Sequence, residues 1–198
     1  NNQIFITQQV SSDDPRLAAL GVPDPKAEIS NSYSLGITGD LPDVLGGKVT
    51  ATIDAFQIDI KDRIVITEGL LTAQYPAVRA LFPQSREIRF FTNQIDTRTR
   101  GIDVVLTYKT QIGSDQNLTL TLAGTHAQTD VLRQRATPAP ILAGASATAQ
   151  QIQLLGQTAT ELIEVAQPRT KILGSANYGW DKLNLGLHVN SSSVFGFL

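Results

Sequence analysis

The chain has 198 residues, of which 41% are apolar and 17% are charged, and its formal net charge is -2. So small a charge argues against a nucleic-acid-binding surface, which normally needs a clustered basic face. The absence of cysteine excludes disulfides, thiolate catalysis and cysteine-ligated zinc, and no stretch reaches the roughly 18 apolar residues that a membrane-spanning helix needs.

Residues 1–31 show no regular apolar pattern and are predicted to form a long connection. They contain neither a methionine nor a basic start followed by an apolar run. We therefore expect a sequence that begins after processing or inside a longer chain.

The first predicted hairpin covers residues 33–67. Apolar side chains alternate with polar ones along its first strand, at Tyr33, Leu35 and Ile37. Its turn is predicted near 40–47, and its second strand runs from Lys48 to Thr67. The apolar side chains of that strand change parity between Ile53 and Phe56, which indicates either a bulge or a change from a lipid-facing to a protein-facing environment.

A second long connection is predicted at residues 68–88, with one or two helical turns from Pro76 to Phe82. The next hairpin has Ile102, Val104, Leu106 and Tyr108 on one face of its first strand. A turn follows near 110–116, and Leu118, Leu120 and Leu122 then alternate with threonines.

The third long connection, residues 132–168, is predicted to contain a helix between Ala145 and Val165. Apolar side chains recur there at roughly helical spacing, at Ile152, Leu155, Ala159, Leu162 and Ile163. The dipeptide Gln167-Pro168 is expected to end the helix.

The last predicted hairpin is the clearest. Alternating residues of its first strand run from Ile172 to Trp180, interrupted only by Leu173, and Leu183, Leu185, Leu187 and Val189 alternate in its second strand. Only Asp181-Lys182 separates the two strands, which is a hairpin-length connection.

Short turns and long connections alternate strictly along these six strands. In an antiparallel up-and-down meander, this alternation places every short turn at one end and every long loop at the other. Bacterial outer-membrane β-barrels have this asymmetry, with short periplasmic turns and longer extracellular loops. Tyr108, Tyr178 and Trp180 lie next to the short turns, where an interfacial girdle of aromatic residues is expected. The predicted fold class is therefore all-β: part of a transmembrane barrel, with one or two short helices in its loops.

Several segments, in the right order and spacing, resemble the β-barrel of TonB-dependent outer-membrane receptors. They are Pro25–Glu28 with Asn31–Ile37, Phe56–Ile64, Arg89–Asp103, Gln167–Lys171 and Phe195–Gly196. The most specific is the Phe-Thr-Asn run at residues 91–93, followed by alternating Thr and then Gly101-Ile102-Asp103.

The resemblance implies a late part of a 22-stranded barrel, spanning residues 1–198 here, without plug, early strands or terminal strands. Such receptors lie in the bacterial outer membrane and take up scarce, bulky nutrients such as iron chelates, cobalamin or glycans. Implied partners are the plug, TonB through the plug, outer-membrane lipid and the nutrient, with no cofactor and no nucleic acid. We expect the isolated chain to self-associate, because an open sheet leaves unpaired edges and an uncovered apolar face. The alternative is a soluble β-rich module that binds a ligand with its long loops.

No set of nucleophile, base and metal ligands points to an enzyme. The two histidines, His126 and His188, are about sixty residues apart and are expected to be ordinary strand residues. Asp54, Asp59 and Asp62 are interleaved with Lys61 and Arg63, which indicates a charged strand end rather than a metal site.

Two sets of side chains are the candidate contacts. On the long loops, the expected ligand-facing residues are Tyr75, Arg79, Phe82 and Arg86. On the strand that follows, inward-pointing charges could hold a plug through charge-assisted hydrogen bonds, and the candidates are Asp96, Arg98, Arg100 and Asp103.

Overall fold

The computed structural model describes residues 6–151, 153–165 and 167–192. Nine strands lie in this part of the chain: β1 (Ile6–Gln9), β2 (Ile29–Val44), β3 (Gly47–Ile66), β4 (Leu70–Leu71), β5 (Ser85–Arg89), β6 (Phe91–Ile112), β7 (Gln116–Gln134), β8 (Thr170–Trp180) and β9 (Leu183–Ser192). It also contains five short helices: α1 (Pro15–Ala19), α2 (Pro76–Leu81), α3 (Ala139–Leu142), α4 (Ala147–Gln150) and α5 (Gln157–Val165). No helix in these ranges is both long and apolar enough to cross a bilayer.

The main sheet has six strands in the order β2-β3-β6-β7-β8-β9. Each strand therefore pairs with the next long strand along the chain, as in a meander. Residues 116–126 of β7 pair with β8 in continuous antiparallel register, and β8 pairs in the same way with the whole of β9. The predicted antiparallel six-stranded meander is confirmed.

Three short turns join the hairpins of this sheet. The first is only Leu45-Gly46, where both residues have positive φ angles of 51° and 76°, as two-residue hairpins with a primed turn require. The turn predicted near 40–47 is therefore too wide. Strand β2 continues to Val44 because Asp40 is held across the pair by Lys48 at 2.9 Å and by Thr50 at 2.7 Å.

The strands of the main sheet differ in length. Strands β8 and β9 have 11 and 10 residues, close to the roughly 9–11 that cross a bilayer as a tilted barrel strand. Strands β2, β3, β6 and β7 have 16, 20, 22 and 19 residues. These four strands are thus longer than a bilayer crossing alone requires.

The chain divides into two compact units. The first comprises the described parts of Asn1–Ser30, Asp59–Thr97 and Val131–Ile163, and we call it the loop unit. It contains a second sheet of order β1-β5-β4, in which β1 and β5 are parallel and β4 and β5 antiparallel. The second unit, the wall unit, comprises Asn31–Ile58, Arg98–Asp130 and the described part of Glu164–Leu198.

The loop unit has its own apolar core. Its buried members come from all three segments predicted as long connections, and Phe90 follows the second of them. They are Val10, Leu17, Leu20, Val22, Leu70, Tyr75, Val78, Phe82, Ile88, Phe90, Ile141, Ala145, Ala149 and Leu154. The connections lie where the sequence predicts them, but they are folded together rather than extended as separate loops.

The helices within the connections are confirmed only in part. Helix α2 matches the helical turns predicted from Pro76 to Phe82. The helix predicted between Ala145 and Val165 is instead two helices, α4 and α5. The break follows from Leu154 and Leu155, which are both buried, and from the Glu68 amide, which donates to the Leu154 carbonyl at 2.8 Å.

Helix α5 ends at Val165, just before Gln167-Pro168, as predicted. Ile152, one of the expected helical positions, lies outside the described residues, as do Phe195 and Gly196 of the last resembling segment.

Candidate functional site: a two-faced strand wall and a polar junction

The wall unit has an apolar face that can be read directly from strand registers. Three strands place apolar side chains opposite one another: Leu118 with Tyr178 and Leu185, Leu120 with Ala176 and Leu187, and Leu122 with Gly174 and Val189. These side chains are uncovered, since Leu187 keeps 64% of its surface exposed and Leu35 of β2 keeps 82%. A contiguous apolar surface of this kind needs a partner.

The opposite face of the same strands is polar. Its cross-strand sets are Asn117 with Gly179 and Asn184, Thr119 with Asn177 and Gly186, Thr121 with Ser175 and His188, and Thr125 with Lys171 and Ser192. Leu173, which interrupts the alternation of β8, also lies on this polar face, between Ala123 and Asn190. Successive residues of a strand point to opposite faces. The wall unit therefore has an apolar surface on one side and a polar surface on the other.

Side-chain hydrogen bonds extend the polar face to the earlier strands. The hydroxyls of Thr38 and Thr52 are 3.0 Å apart, and those of Thr99 and Thr129 are 2.9 Å apart. The Thr125 hydroxyl donates to Asp103 at 2.6 Å. On β6, the intervening positions therefore lie on the apolar face, where the apolar stretch runs from Ile102 to Ile112. Its length matches the roughly 9–11 residues of a bilayer-crossing strand.

The parity change in β3 reflects a change of surroundings rather than a bulge. A Cβ atom added to Gly36 would meet the Asp54 carboxylate, and one added to Gly101 would meet the Phe56 ring. Gly101 has the strand parity of Thr99 and Asp103, so Phe56 covers the polar face. The sequence leaves two explanations open, a bulge or a change from a lipid-facing to a protein-facing environment. The structure supports the second, because Phe56 lies on the polar face.

In the loop unit, a second arrangement joins three of the resembling segments through the side chain of Asn93. Its carbonyl oxygen accepts from the Lys26 amide at 2.6 Å, and its amide group donates to the Lys26 carbonyl at 2.9 Å and to the Asp62 carbonyl. Asn93 is only 6% exposed. A single buried amide thus ties the segment that leads into β2 to β3 and β6.

Charged residues surround Asn93. Asp62 has a positive φ of 55° within β3, and its amide donates to Asp96 at 2.9 Å. Arg133 pairs with Asp96 at 2.9 Å, and Arg135 pairs with Asp62. Glu28 adds a further tie by accepting from the Ile64 amide at 2.7 Å. We call Glu28, Asp62, Asn93, Asp96, Arg133 and Arg135 the polar junction.

The four predicted plug-facing residues do not share one surface. Asp96 belongs to the polar junction of the loop unit. In the wall unit, Asp103 lies on the polar face, whereas Arg100 lies on the apolar face and pairs with Asp130 at 3.6 Å. Arg98 has the strand parity of Arg100. Residues an odd number of positions apart on a strand point to opposite sides, so Asp103 is the candidate of this set that lies on the polar face of the wall unit.

The predicted ligand-facing residues also divide into two kinds. Tyr75 and Phe82 are each 2% exposed and belong to the core of the loop unit, so the expectation that they face outward is wrong. Burial raises the pKa of the Tyr75 hydroxyl, and Arg16 lies 4.2 Å above the Phe82 ring. Arg79 and Arg86 are exposed.

The histidines occupy separate strand positions. His126 shares a hydrogen bond of 2.9 Å with the Thr170 hydroxyl, and His188 is exposed on the polar face. Among the described residues, no three His, Asp or Glu side chains are grouped closely enough to hold a metal ion. The sequence marked Asn93 only as part of the Phe-Thr-Asn run and gave no sign of its contacts, and it did not single out Arg133 or Arg135. The hydrogen-bond partners of Asn93 and Arg135 are 31 to 73 residues away along the chain.

The architecture matches a known family of membrane proteins. The family model described as "TonB dependent receptor-like, beta-barrel" matches residues 2–195. A search of curated proteins found no match to this chain. Barrel domains of this family are outer-membrane proteins of Gram-negative bacteria, and the receptors are transporters rather than enzymes. The predicted resemblance is confirmed, and the chain belongs to the β-barrel family of TonB-dependent receptors.

Proposed function

We propose that this chain forms part of the wall and the extracellular loops of an outer-membrane transporter for a scarce, bulky nutrient. Iron chelates, cobalamin and glycans are the candidate substrate classes. The observation that carries the proposal is the two-faced wall, in which an apolar stretch from Ile102 to Ile112 backs a polar face of Thr, Ser and Asn. A barrel strand between lipid and a wet or protein-filled lumen has this pattern.

The proposed partners follow from the surfaces. Lipid of the bacterial outer membrane covers the apolar face, and the plug faces the polar one, where Asp103 is the member of the predicted charged set that remains a candidate. The plug and the remaining strands come from parts of the receptor beyond these 198 residues. TonB acts through the plug, so that transport is a property of the whole receptor.

The loop unit is the proposed place of nutrient contact. Its exposed arginines, Arg79 and Arg86, are the candidates on its surface. Tyr75 and Phe82 support that surface from the core rather than touching the nutrient. A folded loop unit favours recognition, because preformed surfaces lose less conformational entropy on binding than mobile loops do.

The test is made with the complete receptor gene in its own bacterium. Deleting the gene is expected to abolish uptake of one member of a panel of iron chelates, cobalamin and glycans, and a plasmid copy is expected to restore it. Arg79→Ala and Arg86→Ala are then compared with the unaltered receptor for nutrient affinity.

Cell fractionation tests the location separately. The full-length protein is expected in the outer-membrane fraction, resistant to extraction by salt. Recovery of a plug-less protein from the periplasm, with no detergent, would instead support a soluble ligand-binding module. The uncovered apolar face, with Leu35 and Leu187 both more than half exposed, argues against that alternative.

A further inference from the structure

An open cleft of about 560 Å³ lies within the loop unit. Its lining comes from the segment that follows β3, from the end of β7, and from the stretch that joins α4 to α5 and continues into α5. The described lining residues are four glutamines, two glutamates, a threonine and a glycine. The volume lies within the roughly 300–1,000 Å³ that is usual for small-molecule sites, so the cleft has room for a small organic ligand.

Hydrogen bonds to buried backbone groups fix two sides of this cleft. The Glu68 amide donates to the Leu154 carbonyl at 2.8 Å, and the Gln134 side chain donates to the Leu155 carbonyl. Both leucines are only 2% exposed. The cleft is therefore formed before a ligand arrives, which reduces the conformational entropy lost on binding.

Gly156 allows a carboxylate to lie at the start of α5. A Cβ atom added to this glycine would be 2.2 Å from a carboxylate oxygen of Glu68, so a larger residue would displace that carboxylate. The Gly156 carbonyl accepts from the Thr160 amide at 3.0 Å and from its hydroxyl at 3.1 Å. A second carboxylate, that of Glu161, accepts from the Gln157 side chain at 2.8 Å. Neighbouring groups thus position both carboxylates of the cleft.

The lining combines hydrogen-bond donors and acceptors without a positive charge. The other three glutamines are Gln134, Gln151 and Gln153, and the described lining includes no Lys, Arg or His and no aromatic ring. Each glutamine amide both donates and accepts, whereas a carboxylate only accepts. Adjacent hydroxyl groups of a sugar also donate and accept, so that they match this mixture.

The same lining disfavours the two other candidate substrate classes. An iron chelate with a negative charge would be repelled by the two carboxylates, with no basic group in the described lining to compensate. The ring system of cobalamin would find no aromatic or large aliphatic side chain there, although such side chains predominate in sites for apolar ligands. An uncharged ligand rich in hydroxyl groups fits the cleft best.

We propose that this cleft binds an uncharged oligosaccharide. The glutamine amides and the carboxylates of Glu68 and Glu161 bind hydroxyl groups of one or two sugar units. The inference rests on the proposed function and narrows its three substrate classes to glycans.

The test uses the full-length receptor in a detergent without a sugar head group. The protein is applied to an array of neutral, acidic and amino-substituted oligosaccharides, and the strongest ligand is then titrated by calorimetry. Neutral oligosaccharides are expected to bind best, and Gln153→Ala is expected to weaken their binding by roughly 3- to 10-fold, as the loss of one or two hydrogen bonds does. Gln74→Ala, at an exposed position of the loop unit outside the cleft, is the matched control and is expected to leave the Kd unchanged.

The double variant Glu68→Gln, Glu161→Gln tests charge selection separately, because it keeps the size of both side chains and removes their charge. Binding of acidic oligosaccharides is expected to strengthen by roughly 2- to 5-fold as the repulsion is lost. An unaltered receptor that prefers acidic or amino-substituted oligosaccharides would overturn the proposal, as would a Kd that Gln153→Ala does not change. If no oligosaccharide binds to a receptor that resides in the outer membrane and takes up an iron chelate or cobalamin, this inference fails and the proposed function stands.

Discussion

Asn93 shows how one side chain can hold segments that are far apart in the sequence. It makes three hydrogen bonds to Lys26 and Asp62 from a position that is almost fully buried. Replacement by alanine would leave the two carbonyls and the amide without this partner, and each unsatisfied buried group is costly.

Asn93→Ala is therefore expected to lower the free energy of opening the loop unit by about 2–4 kcal/mol. Native-state proteolysis of the full-length receptor measures this opening. Asn190→Ala, at an exposed position of the polar face, is the matched control and is expected to have no effect. Equal cleavage rates for the two variants would show that the Asn93 bonds contribute nothing to the loop unit.

Gly101 is a second residue whose identity follows from a contact. A Cβ atom there would overlap the Phe56 ring and lie 2.8 Å from the His126 carbonyl oxygen. Gly101→Ala is expected to reduce stability by about 1–3 kcal/mol through overpacking. Phe56→Ala in the same chain is expected to restore part of that loss, because it removes the ring but not the carbonyl. Thermal unfolding of the full-length receptor in detergent measures both effects. A double variant that is no more stable than Gly101→Ala would contradict the contact between Gly101 and the Phe56 ring.

Tyr75 is expected to make the stability of the loop unit depend on pH. Burial raises the pKa of its hydroxyl above the ordinary value of 10.0, so the folded state disfavours the ionised form. Its contribution to stability is complete below about pH 10 and is lost as the pH rises above that value. Proteolysis of the loop unit is expected to accelerate in this range, and Tyr75→Phe is expected to remove the tyrosine's share of the acceleration. An identical pH profile in Tyr75→Phe would contradict this account.

At the scale of elements, the alternation of apolar and polar residues determines the wall. Leu187 and His188 are neighbours on β9, but they lie opposite Ala176 and Ser175 on different faces. A lysine on a lipid-facing site near the middle of a bilayer costs about 2–4 kcal/mol. Leu187→Lys is therefore expected to lower the folded fraction of the full-length receptor in lipid vesicles, whereas His188→Lys is not. Equal folding yields would mean that the two faces do not differ in surroundings.

The strands of the main sheet were predictable because each carries its own periodic signal. The alternating residues from Leu183 to Val189 predict both the strand and which of its faces is apolar. The dipeptide Asp181-Lys182 predicts the hairpin turn. Strands β1 and β4 have only 4 and 2 residues, which is too short for alternation to show. They form because they pair with β5, which is separated from β4 by helix α2 and from β1 by several strands of the sequence. No local pattern reports such a pairing.

The helix predicted between Ala145 and Val165 illustrates the opposite error. Its spacing is helical, but tertiary contacts of Leu154 and Leu155 override that preference. The site residues were misplaced for a related reason. Tyr75 and Phe82 were expected to face a ligand because they lie in a connection, whereas that connection has a core of its own.

At the scale of the whole molecule, the six-stranded sheet is open and its apolar face is uncovered. The isolated 198-residue chain is expected to self-associate in buffer without detergent, through its sheet edges and this face. Replacing Leu183, Leu185 and Leu187 by lysine is expected to reduce the associated mass in analytical ultracentrifugation. A monomer of the unaltered chain in the same buffer would show that the apolar face is covered in another way.

In the proposed membrane location, one face of the wall contacts lipid and the other contacts water or protein. These 198 residues contain no cysteine, so single cysteines introduced at residues 118–125 of β7 can each carry a nitroxide in the full-length receptor in lipid vesicles. Molecular oxygen concentrates in lipid, so it is expected to relax the nitroxides at 118, 120, 122 and 124 more strongly than those at 119, 121, 123 and 125. An accessibility to oxygen that does not alternate with period two along this strand would mean that neither face of the wall contacts lipid selectively.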